Sequence, residues 1–392
     1  MKEKIISSLL LIIFKTFTFL PVKQDVIIFE SQYGGKFDDN PKAIYNYMKQ
    51  TNSEQYKLFW SINYRNRHIV GDENVKVLYR FSIRWLYYMA RSKYWIINAR
   101  LPKWLPKRKG TNYVQTWHGT PLKKLALDMD TIGMPGNSLV AYKESFLQET
   151  KKWDYLIAPN QYSKDIFKSC FAFNKTFIDS GYPRNDILFQ KNNSNDINEI
   201  KRKLGLPLDK KIILYAPTWR DDYYLSRGKY RFKMPFDLEK VSHILNDEAV
   251  LIFRAHYLVS ESLDSIKGRP NFYNFSMKED ISDLYLVSDM MITDYSSVFF
   301  DYANLKRPML FYAYDYEHYR DNLRGFYFDI EKESPGPFVT KQEEFYLYLR
   351  EYMGKGEFSD YKTQLNKFHE TYCDWEDGNA SQKVLKEIKI LS

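Results

Sequence analysis

Cysteine is nearly absent: Cys170 and Cys373 are the only two in 392 residues, and they show no metal-binding or redox spacing. That excludes a disulfide scaffold and fits a reducing compartment. No apolar run is long and clean enough for the ~20-residue helix that spans a bilayer. The nearest, Ile5 to Leu20, is broken by Ser, Thr and Lys15 and closed by Pro21, and no A-x-A-like cleavage site follows it. Nucleic-acid motifs, internal repeats and low-complexity tracts are absent. No D-x-D-type acidic cluster stands at a strand end near the motifs described below, so no metal or other cofactor is expected.

What is present is a chain long enough for two domains, with 44% hydrophobic residues and 17% aromatics. Its net charge of +9 suits polyanionic partners, and without a nucleic-acid motif it points to phosphorylated substrates and anionic lipid. The first 24 residues, MKEKIISSLLLIIFKTFTFLPVKQ, suit an amphipathic helix resting on a membrane. A buried first helix is the plain alternative.

Strands and helices alternate, which predicts βα units and parallel sheets. In the first half the expected strands are Val26–Glu30, Lys57–Ile62, Val75–Leu78, Tyr94–Asn98, Tyr113–Trp117, Tyr155–Ala158 and Thr176–Ser180. The polar stretch Gln190–Asp196 reads as a linker. Strands Ile212–Ala216, Val250–Ala255, Phe272–Phe275, Met290–Thr293 and Met309–Phe311 then restart the pattern. The expected domains are 25–190 and 191–392, the second closed by C-terminal helices. The expected fold is α/β: two doubly wound, Rossmann-like domains facing across a cleft, with ligands at the carboxyl ends of the strands.

Five segments carry chemistry. VQTWHGTPLKKL reads as strand, loop and helix, with Thr120 as N-cap and Pro121 as first helical residue; an anion would be welcome at such a helix start. His118 there, with an ordinary pKa of ~6.5, suits a proton acceptor; a capping or core histidine is the alternative. FRAHYL places Arg254 and His256 two apart at a strand end, where they suit phosphoryl oxygens or merely form a solvated rim; the roles of His118 and His256 could equally be exchanged. ITDYSSVFFDYANLKRP opens a helix with Ser296 and Ser297 and carries Asp301 four residues on, suited to a hydroxyl of ribose or glycerol. YAPTWRDD puts Pro217 and Thr218 at a strand end, and GYPRND puts Arg184 in a strand-end loop.

Two further segments read less specifically. SQYGGKFDDNPKAIY offers Asp38, Asp39 and Asn40 to acceptor hydroxyls, or is a capped loop. ARLPKWLPKRK surrounds Trp104 with Arg100, Lys103, Lys107, Arg108 and Lys109, which suits an anionic bilayer at ~1 kcal/mol per basic group, or a solvated loop.

In their order and spacing, WHGTPLKKL, GYPRND, YAPTWRDD, FRAHYL and ITDYSSVFFDYANLKRP resemble the CDP-glycerol glycerophosphotransferases of wall teichoic acid synthesis, over nearly the whole chain. The resemblance implies a GT-B fold, peripheral attachment to the cytoplasmic membrane face, CDP-glycerol as donor and a polyprenol-diphosphate-linked disaccharide or glycerol-phosphate primer as acceptor. Its donor site falls on Trp117, His118, Gly119, Thr120, Pro121, Arg184, Pro217, Thr218, Arg254, Ala255, His256, Ser296, Ser297 and Asp301. Relatives often carry methionine where this chain has Ala255, an apolar exchange that bears on local packing alone. The chain lacks the extra N-terminal region of the long polymerases, so the resemblance implies the short form that extends a primed linkage unit. A ribitol-phosphate transferase, a nucleotide-sugar glycosyltransferase on the same scaffold and a non-enzymatic polyanion binder are the rival readings.

Overall fold

A computed structural model describes residues 2–51, 54–71, 74–131, 138–218, 224–226, 229–230, 234–254, 266, 268–276, 279–317 and 325–391. The chain divides into two units. One comprises Met1–His118, Leu125–Asp186 and Trp375–Ser392; the other comprises Gly119–Lys124 and Ile187–Asp374.

The first unit is built on seven strands: β1 (Lys23–Glu30), β2 (Lys57–Ile62), β3 (Lys76–Tyr79), β4 (Ser92–Ile97), β5 (Asn112–Gln115), β6 (Tyr155–Ala158) and β7 (Thr176–Asp179). They lie in the order β3-β2-β1-β4-β5-β6-β7, and every neighbouring pair is parallel. A parallel sheet needs both faces covered, because each crossover lays a helix on one of them. β1 shows this directly. Val26 and Ile28 point into the core that holds Trp85, Leu86 and Met89 of the helix Ile83–Arg91. Ile27 and Phe29 point the other way, into the core that holds Ile44, Tyr45 and Met48 of the helix Asp39–Thr51.

The second unit repeats the plan with β8 (Lys211–Tyr215), β11 (Ala249–Phe253), β12 (Phe272–Asn274), β13 (Met290–Thr293), β14 (Met309–Tyr312) and β15 (Phe338–Val339), in the order β12-β11-β8-β13-β14-β15. All of its pairs are parallel. A short antiparallel hairpin, β9 (Tyr224–Ser226) with β10 (Lys229–Tyr230), stands outside this sheet.

In both sheets the strand order reverses next to the first strand, between β1 and β4 and between β8 and β13. These are the topological switch points, where diverging loops leave a crevice at the carboxyl ends of the strands.

The expected pair of parallel α/β domains is therefore what forms, with three differences. The division falls after Asp186, not after residue 190, and the helix Ser194–Leu204 begins inside the presumed linker, capped by the Asn193 side chain. The C-terminal helix Ala380–Glu387 does not close the second unit. Its Val384 and Leu385 join the first unit's core. Finally, no helix starts at Thr120 or Pro121. The stretch from Gly119 to Leu125 is irregular, and the next element is the 3-10 turn Ala126–Asp128.

Candidate functional site

At the first switch point a polar cluster forms from four loops. Strand β1 runs out into Ser31 and Gln32; β4 runs out into Asn98. The Asn98 side chain accepts from the Gln32 amide (2.9 Å) and donates to Ser31 Oγ (3.1 Å) and Asp39 Oδ2 (2.7 Å). Asp39 opens the helix Asp39–Thr51 at φ +65, a left-handed backbone that non-glycine residues hold only when their surroundings fix it. Its Oδ1 accepts from Arg184 Nη1 at 2.8 Å. Asn40 straps the same loops together, donating to the Trp117 carbonyl (3.2 Å) and accepting from the Arg184 amide (3.1 Å).

His118 sits in the middle of this cluster. Its Nδ1 lies 2.8 Å from the Asn98 carbonyl, which can only accept, so Nδ1 carries the proton and Nε2 holds the lone pair. Among the described residues nothing bonds to Nε2. The His118 carbonyl accepts from Arg184 Nη1 at 2.9 Å. Trp117 lies stacked on the imidazole with ring centroids 4.4 Å apart, is itself buried against Phe171, and adopts φ +52.

The charges follow from this packing. The dense protein around His118 pushes its pKa down, Asp39 and the Asn98 carbonyl oppose that, and Arg184 adds to it. His118 as a residue is exposed, which limits the desolvation. The net direction is a neutral imidazole at pH 7, a competent base. Asp39 shifts downward: its burial raises the pKa, but Arg184 and His118 outweigh that.

The loop carrying Arg184 is held from a distant part of the chain. Glu376 Oε1 accepts from the Tyr182 amide (3.0 Å) and Asn185 Nδ2 (2.9 Å). Gly181 makes this approach possible: it has φ +83, and a Cβ there would stand 2.6 Å from Glu376 Oε2. Asp186 then accepts from the amides of Ala380 (2.7 Å) and Ser381 (2.9 Å), fixing the start of the C-terminal helix.

At the second switch point, β8 leads into Pro217 and Thr218, and β13 leads into Asp294. Thr218 donates its hydroxyl (2.6 Å) and its amide (2.8 Å) to the buried Asp294 carboxylate. Thr218 thus spends its hydroxyl proton within the protein. Arg254 follows β11 and donates to the Phe275 carbonyl at 2.6 Å. Ala255 and His256 lie outside the described residues. The helix after Ser297, Val298–Tyr302, has five residues, and Ser297 makes no side-chain cap. The expected helix-terminus site there is reduced to its hydroxyls; neither Ser296 nor Ser297 spends its own on a described residue. Asp301 is buried one turn below.

Other expectations change as well. Gly119, Thr120 and Pro121 are buried and head no helix; Leu122 accepts from the Tyr327 amide and Lys124 donates to the Gly325 carbonyl. Asp39 and Asn40 are committed to the cluster around His118, not open to acceptor hydroxyls. In the basic loop, Lys107 pairs with Asp154 (2.6 Å), Arg108 donates to the Leu20 carbonyl (2.6 Å), and Arg100 lies over the Phe146 ring (4.2 Å). Lys103 and Lys109 stay exposed. Asn98, Asp294 and Glu376 were not anticipated. Asn98 and Asp294 had a sequence signal, each as the polar end of an apolar strand. Among the described residues no group of His, Cys, Asp and Glu side chains could hold a metal ion.

Comparison with known proteins places this geometry. Residues 12–389 match the family described as CDP-Glycerol:Poly(glycerophosphate) glycerophosphotransferase. The teichoic acid poly(glycerol phosphate) polymerase of Bacillus spizizenii is 50% identical over 96% of this chain and 95% of its own length. The teichoic acid glycerol-phosphate transferase of Staphylococcus aureus is 43% identical over 98% of both chains. A solved structure of a variant of the wall teichoic acid polymerase TagF, soaked with CDPG, superposes with a TM-score of 0.88 at 38% identity, covering 96% of this chain and 92% of that one. A relative of nearly this length bears the name polymerase, so length does not mark the chain as a short, extending form.

Proposed function

The chain belongs to the CDP-glycerol:poly(glycerophosphate) glycerophosphotransferase family, and from that membership we propose that it moves glycerol phosphate from CDP-glycerol to the terminal hydroxyl of a polyprenol-diphosphate-linked teichoic acid primer. The observation that carries the chemistry is the His118 tautomer, with Nδ1–H spent on the Asn98 carbonyl and Nε2 open. The acceptor oxygen attacks the β-phosphorus of the donor. As the new O–P bond forms, the bond to the bridging oxygen breaks and CMP leaves with its electron pair. The hydroxyl proton passes to Nε2 of His118.

Arg254 and, by family resemblance, His256 steady the phosphoryl charge, and the hydroxyls of Ser296 and Ser297 donate to the diphosphate. Asp301 is assigned to a hydroxyl of the donor, and Trp117, Gly119, Thr120, Pro121, Arg184, Pro217, Thr218 and Ala255 to shaping its site. The first unit would then supply the base that serves the acceptor, besides Trp117 and Arg184, and the second unit the remaining donor groups. Incubation with CDP-glycerol, CDP-ribitol and nucleotide sugars in turn tests the donor: only CDP-glycerol should release its nucleotide. Release from another donor, with CDP-glycerol inert, overturns the reading.

We also propose that the protein rests on the cytoplasmic face of the membrane through its first helix, Lys2–Phe17. One side of that helix packs inward through Leu10, Ile13, Phe14 and Phe17. The opposite side leaves Ile5, Leu9 and Ile12 about three-fifths exposed, beside exposed Ile6, Phe19 and Leu20. Exposed Ile83 lies on the helix against which it packs. An apolar surface of this kind marks a docking surface, and Lys4, Arg84 and Lys103 add cations suited to anionic headgroups. No helix among the described residues is long and apolar enough to cross a membrane. Co-sedimentation with anionic vesicles should fall strongly in an Ile5→Asp, Ile12→Asp variant; unchanged sedimentation contradicts this attachment.

A further inference from the structure

The hydrogen bonds around His118 form a closed ring. Asp39 Oδ2 holds the Asn98 side chain (2.7 Å), and the Asn98 main-chain carbonyl holds His118 Nδ1–H (2.8 Å). Asp39 Oδ1 holds Arg184 Nη1 (2.8 Å), and that same nitrogen holds the His118 carbonyl (2.9 Å). Both clamps on His118, one on the ring and one on the backbone, thus lead back to a single carboxylate. We propose that Asp39 is the positioning residue of the reaction: through Asn98 and Arg184 it fixes the tautomer and orientation that present His118 Nε2 to the acceptor hydroxyl. This rests on His118 being the base, as proposed above.

Three features support the assignment. Asp39 is held at φ +65, a conformation at odds with ordinary side chains, as is Trp117 beneath the imidazole at φ +52. The side chains of Asp39 and Arg184 are 11% and 16% exposed, so their attraction is only weakly screened by water. The charged groups around His118 are Asp39 and Arg184, of opposite sign. Asp39 therefore also stabilises the imidazolium that forms when the proton arrives, the service a buried carboxylate gives a catalytic histidine.

Asp39→Asn is the informative variant, because asparagine tolerates the left-handed backbone and keeps the shape. It removes the charge and one acceptor. The turnover number should fall roughly 10- to 100-fold, the usual cost of losing a supporting partner, while KM for CDP-glycerol changes little. Loss of the negative charge lowers the imidazole pKa, so the acid limb of the kcat profile should move to lower pH. A purely structural carboxylate would lower the active fraction and leave the limb in place.

Nitrogen-15 spectra of histidine-labelled protein, assigned with His118→Ala, give a readout independent of activity. The wild type should show Nδ1–H at His118, and Asp39→Asn should show a mixture of tautomers. If Asp39→Asn fails to fold, Asn98→Ala carries the same two readouts, expected as lower kcat and a mixed tautomer. Wild-type kcat, pH limb and tautomer in the folded variant, with His118→Ala inactive, overturn the positioning role alone. Near-wild-type turnover by His118→Ala overturns the reading on which it rests.

Discussion

The two switch points share a strand order but hold their polar groups differently. At the first, the anchors around His118 are tied twice: Asp39 bonds to Asn98 and to Arg184, and each of these bonds to the histidine, which leaves one nitrogen open among the described residues. At the second, Asp294 consumes the Thr218 hydroxyl and amide, while the hydroxyls of Ser296 and Ser297 are committed to none of the described residues. On the proposed assignment of base and donor site, the difference matches two chemical tasks. A base needs one orientation and one protonation state, so its surroundings are over-determined. A diphosphate is met by several donors, each contributing modestly, so some can stay unspent until the ligand arrives.

This contrast orders the expected effects of mutation. His118→Ala should cost the most, roughly 10²–10⁴-fold in kcat, because it removes the proposed proton acceptor at Nε2. Loss under 10-fold would break the comparison at its centre. In the wild type the acid limb of kcat should lie below the ordinary histidine pKa, since burial pushes His118 down and the base works only when neutral. A limb above it would contradict the packing described.

Arg254→Ala should follow, at about 10²-fold in kcat/KM, the scale of one donor aimed at developing charge. Glu376→Ala should act through stability. It removes the buried acceptor shared by the Tyr182 amide and Asn185 Nδ2, at about 1–3 kcal/mol, read as a lower Tm with the loop bearing Arg184 loosened. Ser296→Ala should cost least, about 1 kcal/mol in the KM for CDP-glycerol, because its hydroxyl bonds to none of the described residues. A serine variant worse than His118→Ala would reverse the assignment of rigid and adaptable sites.

The sheets were legible because parallel strands are short apolar runs bounded by polar residues. Lys57–Ile62, Tyr155–Ala158 and Met290–Thr293 form as expected from that pattern alone. His118 was visible as a polar residue beyond such a run. What the sequence misstated is the segment after it. Thr120 and Pro121 imitate a helix start, yet Leu122 and Lys124 bond to Tyr327 and Gly325 some two hundred positions later, and that pairing displaces the helix. The role of Asp39 was hidden for the same reason. Its partners Asn98 and Arg184 come from other loops, so the triplet Asp38-Asp39-Asn40 looked like a free acidic turn. The grip of Glu376 on Tyr182 spans nearly the same interval and left no local trace. Local pattern reports periodicity and punctuation; the bonds that orient this site are long-range.

The most direct measurement is the mass of the lipid product after the protein meets CDP-glycerol and a primed lipid analogue, beside His118→Ala under the same conditions. The account predicts growth by whole glycerol-phosphate units with matching CMP release, and no growth with the variant. An unextended primer with wild-type protein, or equal extension by both, would contradict it.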